Sequence, residues 1–215
     1  MNNLLYKEFR LAIHPSVYIF LSFGALLLIP SWPFFIAFGY LFLGFMNTFL
    51  TNRSNHDIIF TALLPVPKRE VVRARVRVMA IVEVLQIVVA VPFAYLNTII
   101  NPHGNQGGMN PNIAFLGIVF MVYAVFNSVF LPMYYKTAHK VGIPIFAGTA
   151  ACVIFVSGVE VAVHTVPFLN TYINAFAAAH LFSQLVVLLV GISIFLLATL
   201  FAYKRAAGNF EKLDL

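Results

Sequence analysis

The stretch RSNHDIIFTALLPVPKREVVRARVR, residues 53–77, holds six of the thirteen Lys and Arg residues of a 215-residue chain that is 61% hydrophobic and 9% charged. A soluble protein carries about 25% charged residues, so this composition belongs to an integral membrane protein, and the stretch is its largest aqueous segment. An apolar-faced helix is expected over residues 56–64, with Ser54 or Asn55 as its N-cap. It must end near Pro65, because proline disfavours helical geometry in the residue before it. Pro67 then suits a first helical turn, so a second helix is expected from Lys68 through Glu70, Arg73 and Arg77 into the apolar run at Val78. A short helix, a Pro-x-Pro corner and a basic helical run into the membrane make a projection that a soluble partner can grip.

Upstream, residues 2–14 read as a helix lying on the membrane. Asn3, Lys7, Arg10 and His14 share one face, and Leu5, Phe9, Ala12 and Ile13 share another. The plainer alternative is an aqueous lead-in that ends at Pro15. Six transmembrane helices are expected, over residues 16–29, 33–50, 78–97, 113–135, 141–163 and 181–203. The first is short against the roughly 20 residues a crossing usually needs, so it must borrow from the Pro30-Ser31-Trp32-Pro33 turn or thin the bilayer. Pro92, Pro132 and Pro144 are candidate kinks.

With six spans, all thirteen Lys and Arg residues fall on one side, and the connections 30–32, 98–112 and 164–180 carry none. The positive-inside rule then puts both termini in the cytoplasm. Because the basic residues sit in short segments between apolar runs, the net charge of +6 is a topology signal and not a nucleic-acid footprint. The one cysteine, Cys152, lies within an apolar run and forms no intramolecular disulfide. No cleavable signal peptide is expected, since Lys7, Glu8, Arg10 and His14 interrupt the first fourteen residues.

The chain has no GxxxxGK[ST] phosphate loop, no HExxH and no Cys/His cluster with zinc spacing, so energy for any work must come from a partner or an ion gradient. Two carboxylates fall within the spans, where an unpaired charge costs about 2.5–3.5 kcal/mol near the bilayer centre. Glu83 reads either as a structural group, snorkelling or paired with Lys136 or Lys140, or as a path or gating residue. Glu160 reads as the partner of His164 four residues on, with a translocation-path or gating role for Glu160 and His164 as the alternative; Glu160, His164 and His180 make a weak metal set, and no metal site is assigned. Residues 101–108 form a polar connector. Phe168, Leu169, Tyr172, Ile173 and Phe176 recur at helical spacing and suggest a short helix in the last outer connection. The 23 Phe residues mostly face lipid or neighbouring helices.

The run Thr61-Ala62-Leu63-Leu64-Pro65-Val66-Pro67-Lys68-Arg69-Glu70-Val71-Val72-Arg73-Ala74-Arg75 resembles the S-L-P-V-x-R-x-E-I-V-x-x-K/R signature that follows the second span of small ABC-2 type permeases. Ala62 stands where Ser is usual and Pro67 where a capping Ser or Thr is usual; Leu64, Pro65, Val66, Arg69, Glu70 and Val71 keep register. With the N-terminal amphipathic helix, six spans and this length, the resemblance covers essentially the whole chain. It is similar to permeases that export amphipathic peptides such as phenol-soluble modulins.

The resemblance implies one permease domain over residues 1–215, in a bacterial plasma membrane. It implies two copies of this chain around a translocation path for amphipathic or hydrophobic substrates, and two copies of a separate ABC ATPase. ATP and magnesium would bind that ATPase, with no cofactor on this chain. The coupling residues would be Ile59, Phe60, Leu63, Leu64, Pro65, Val66, Pro67, Lys68, Arg69 and Glu70. The competing classes are an ion-coupled transporter or channel using Glu83 or Glu160, and a membrane resistance or immunity protein without transport of its own.

Overall fold

Pro65 and Pro67 divide the chain where their chemistry predicts. In the computed structural model, which describes residues 2–63, 65–175 and 180–213, α4 (Asp57–Ala62) ends before the corner. The long α5 (Lys68–Ile100) starts directly after Pro67, whose φ of −57° and ψ of 135° deliver the chain into the first helical turn. Leu64, Phe176 and residues 214–215 lie outside the described residues, as do the side chains of Asn2, Asn3 and Ala62.

The expected caps of α4 are not used. The preceding helix α3 (Phe35–Ser54) runs on through Ser54, whose hydroxyl donates to Leu50 O at 3.1 Å. The chain turns at His56 instead, in the left-handed region at φ 51°, so α4 begins at Asp57 with a negative charge at its N-terminus.

All the regular structure among the described residues is helical. Five helices are long and apolar enough to cross a membrane: α3, α5, α6 (Ile113–Tyr134), α7 (Gly142–Thr165) and α9 (Leu181–Glu211). The count reaches six if the bent N-terminal pair is one span, its two arms, Leu4–Ala12 and Ser16–Leu28, meeting at 87°. The first arm is α1 (Asn2–Lys7) continued by a π-helical segment, Glu8–Ala12. The second is α2 (Ser16–Leu21) continued as a 3-10 helix, Ser22–Leu28.

The geometry of that second arm answers how so short a segment reaches across. A 3-10 helix rises about 2.0 Å per residue against 1.5 Å in an α-helix, so these residues extend roughly 23 Å. The arm runs antiparallel to α3. His14 N donates to Thr48 Oγ1 and Asn47 Nδ2 to Ser16 Oγ, at 3.1 and 3.2 Å, so it starts level with the last turns of α3. Two polar side chains of α5 secure its backbone: Gln86 donates to Phe20 O at 3.2 Å and Asn97 to Leu27 O at 2.6 Å. Gly24 completes the fit, since a Cβ there would lie 2.9 Å from Ala90 Cα.

α6 is the central helix and packs by two contrasting devices. Toward α9 it uses glycine: a Cβ on Gly191 would lie 2.1 Å from Gly117 O, so the two backbones touch where neither residue has a side chain. Toward α3 it uses aromatics. Phe42 stacks on Phe126 with centroids 4.0 Å apart, Phe35 meets Phe115 at 4.6 Å and Phe49 meets Tyr134 at 4.6 Å. Those α3 residues recur every seven positions, one face of a helix, so many of the abundant Phe residues are core and do not face lipid.

Pro92 and Pro132 lie inside α5 and α6, whereas Pro144 falls in the first turn of α7, where its missing N–H costs no intrahelical bond. The outer connection expected to be helical contains α8 (Pro167–Ile173). Connections then gather at two ends. At one, Asn105 donates to Trp32 O at 3.0 Å, Asn110 to Asn174 O at 2.6 Å and Asn112 to Ile173 O at 2.6 Å, joining the three connections that lack Lys and Arg. At the other, Lys7 meets Thr61 at 2.6 Å and Lys68 meets Leu213 O at 2.5 Å, so both ends of the described chain lie beside residues 53–77.

Candidate functional site

α4 is too short to be stable alone, and its two sides have different jobs. Ile59, Phe60 and Leu63 are 50%, 64% and 77% exposed, an outward apolar surface. Thr61 is buried and Ile58 packs against the core from the opposite side. Beyond the corner, Pro65, Pro67 and Arg69 are exposed while Val66 packs inward. The basic start of α5 is partly occupied. Lys68 Nζ donates to Leu213 O, Arg69 Nε sits 2.5 Å from Glu211 Oε1, and Glu70 pairs with Arg73 at 3.0 Å.

The buried side of α4 is fastened by charges that sequence reading did not connect. Arg75 grips Glu8 with two hydrogen bonds, Nε to Oε2 at 2.8 Å and Nη2 to Oε1 at 3.1 Å. Arg75 Nη2 also donates to Asp57 Oδ2 at 2.5 Å, and Lys7 Nζ lies 2.6 Å from Asp57 Oδ1. The guanidinium rests 5.6 Å from the centre of the Phe49 ring. One basic residue of α5 thereby binds both α4 and the N-terminal helix. Burial alone would raise the Asp57 carboxyl, but the Arg75 charge and hydrogen bonds from Lys7 and Arg75 outweigh it and hold its pKa below the ordinary 3.8.

The expected amphipathic face explains why Glu8 was missed. A regular α-helix would set Lys7 in line with Asn3, Arg10 and His14. The π-helical segment uses i→i+5 bonds, widens the turn and directs Glu8 and Ala12 into the bundle, while Tyr6 and Leu11 stay exposed. The one available signal was a lone acid, Glu8, beside an otherwise basic face.

Glu83 does not pair with Lys136 or Lys140, and it does not snorkel. It is fully buried, and its Oε2 accepts from Asn127 Nδ2 at 2.9 Å. Asn127 Nδ2 also reaches Thr199 Oγ1 of α9 at 3.3 Å. One turn along, Gln86 accepts from the Tyr123 hydroxyl, so α5, α6 and α9 meet through a row of polar groups inside an apolar bundle. Among the described residues, Glu83 Oε1 and Asn127 Oδ1 have no hydrogen-bond partner. Polar residues three apart on α5 and four apart on α6 were the signal in the sequence.

Glu160 is near His164 as expected, with Oε2 3.6 Å from His164 Nδ1, but its stronger contact is elsewhere. Both carboxylate oxygens accept from Met109 N at 3.1 Å, and a Cβ on Gly108 would lie 2.8 Å from Oε1. Glu160 therefore anchors the polar loop of residues 101–112 to α7. Among the described residues no three His, Cys, Asp or Glu side chains converge as a metal set would require.

A bundle of apolar helices with a buried polar row and a short helix presented at one end defines a multi-pass membrane protein. The family description that fits is ABC-2 family transporter protein, whose sequence model matches residues 3–202. The chain belongs to this family and is the membrane permease component of an ABC transporter. No curated protein and no solved structure matches the chain.

Proposed function

We propose that this chain is the permease of an ATP-driven exporter, pairing with a second copy of itself and with two copies of a separate ATPase that dock on α4. The observation that carries this reading is the two-sided character of α4: Ile59, Phe60 and Leu63 point outward, and Asp57 and Thr61 are tied to Arg75 and Lys7 behind them. A push on α4 acts directly on Arg75, hence on α5, which is 33 residues long and extends about 50 Å through the bundle. The same arginine holds the N-terminal helix through Glu8, so α4, α5 and the N-terminal helix move as a unit. ATP and magnesium belong to the ATPase.

Hydrophobic or amphipathic peptides are the substrate class that suits an apolar groove of about 470 Å³ between α3, α6 and α7, lined by Phe35, Gly39, Tyr40, Phe42, Cys152 and Val156 among others. The membrane is a bacterial plasma membrane, with both termini cytoplasmic. A second reading, ion-coupled transport without an ATPase, has one observation in its favour, the buried and unpartnered Glu83 Oε1.

The experiment is co-purification of the ATPase with an Ile59→Asp, Leu63→Asp variant, beside a check that the variant inserts. Loss of the ATPase and of ATP-dependent export is expected, because charge enters a contact meant to be dry. Wild-type binding with unchanged export would show that α4 is not the docking element. Export that persists without any ATPase and stops in Glu83→Gln would favour the second reading.

A further inference from the structure

A cleft of about 480 Å³ lies between α6 and α9 at the end of the bundle that carries the basic residues. Lys136, Lys204, Arg205 and Lys212 line it, and among the described residues no carboxylate does. Elsewhere at this end several cations meet acceptors: Lys7 and Arg75 with Asp57 and Glu8, Arg69 with Glu211, Arg73 with Glu70. Glu211, the described acid adjoining Lys212, is drawn away to Arg69. Among the described residues, the side chains of Lys136, Lys204 and Lys212 have no hydrogen bond or ion pair, and that of Arg205 has only the Phe201 ring, 4.5 Å from its guanidinium carbon. Four cations around one cleft repel one another unless an anion enters it.

The α6 side of the cleft presents Val129, Pro132 and Met133 beside Ser128, and α9 adds Asn209 next to the cations. On α9 the exposed residues Leu197 and Phe201 precede Arg205 at intervals of four, so an outward apolar stripe leads directly into the basic cleft. At Gly208 a Cβ would meet open space, which keeps the cleft clear. A cationic end continuous with an apolar track has the layout of a phospholipid, with its charged head and acyl chain, and basic pockets between membrane helices suit anionic headgroups.

We propose that this cleft binds the phosphate of an anionic phospholipid, with Lys136, Lys204, Arg205 and Lys212 around the headgroup and the acyl chain along Phe201 and Leu197. Zwitterionic lipids are disfavoured, because their own ammonium meets the same cations. Free inorganic phosphate would use the basic end alone and leave the apolar stripe without a role.

The test is native mass spectrometry of the delipidated full chain in detergent, titrated separately with dioleoyl phosphatidylglycerol, dioleoyl phosphatidylcholine and sodium phosphate. Phosphatidylglycerol should be retained about tenfold or more over phosphatidylcholine, and sodium phosphate at equal concentration should not displace it. The Lys136→Gln, Lys204→Gln, Lys212→Gln variant should lose that preference. Gly208→Leu fills the cleft without changing charge and should lose it too, and this arm decides the question if the triple variant fails to fold. Lys140→Gln, outside the lining, should bind as the wild type does. Equal retention of the two lipids, wild-type retention by Gly208→Leu, or displacement of phosphatidylglycerol by sodium phosphate would each overturn the assignment.

Discussion

Arg75 and Glu8 lie 67 residues apart in sequence and share two hydrogen bonds, of 2.8 and 3.1 Å, with both side chains 3% exposed. The pair joins the N-terminal helix to the base of the longest helix, and Asp57 extends it to α4.

Replacing Arg75 with Met takes both hydrogen bonds from the buried Glu8 and leaves it only Lys7, 3.7 Å away, and should cost about 3–5 kcal/mol, read as a lower unfolding temperature in detergent. The Arg75→Met, Glu8→Met double variant should recover most of that loss. Equal or greater loss in the double variant would mean that the two side chains do not interact in the folded protein.

The Asp57 carboxyl, held below its ordinary 3.8, makes stability depend on pH in a defined direction. A depressed folded pKa contributes stability above the unfolded value, and that contribution disappears as pH falls through the folded value. Stability from this group should therefore be flat from pH 7 to about 5 and decline only below about 4. Asp57→Asn should be less stable at pH 7 and lack this acid step. An acid step of unchanged size in the variant would assign it to other carboxylates.

At the contact of α6 with α9, Gly191→Ala would place a methyl 2.1 Å from Gly117 O, and the helices must separate. A cost of about 1–3 kcal/mol or more is expected in the same unfolding measurement. Gly39→Ala is the comparison, since a Cβ there meets nothing within 4 Å and alanine is the better helix former. It should be neutral or stabilising by up to about 1 kcal/mol. Similar effects at the two glycines would remove the close contact as the reason for glycine at 191.

Glu83→Gln keeps the acceptor for Asn127 and adds an amide hydrogen that can serve the unpartnered Asn127 Oδ1, so stability should be kept or raised. Asn127→Leu removes the partner of Glu83 and should cost about 1–3 kcal/mol. Lys136→Gln should leave the unfolding temperature unchanged. Matching losses in Glu83→Gln and Lys136→Gln would restore the ion pair that the structure replaces with Asn127.

Residues 53–77 show what was legible in advance. The Pro-x-Pro corner, the unbroken helix after Pro67 and the membrane class follow from proline geometry and composition, both local properties that hold wherever the segment ends up. The start of α4 was misread because Ser54 belongs to α3, a boundary set by packing of the preceding helix and not by the capping tendency of serine. Pro144 was misread as a kink because its effect depends on where α7 begins.

The candidate site divides the same way. Sequence alone determined which segments are apolar helices, where the chain breaks and that all thirteen Lys and Arg residues fall in alternate connections, since these depend on each segment's own pattern. Only the tertiary structure decided which charges meet. Glu8 finds Arg75 because a π-helical segment turns it inward, Asp57 joins them because His56 reverses the chain, and Asn127 of α6 meets Glu83 of α5 and Thr199 of α9 because the three helices pack together at that level. A buried charge needs a partner wherever it lies, and long-range packing selects which side chain supplies it.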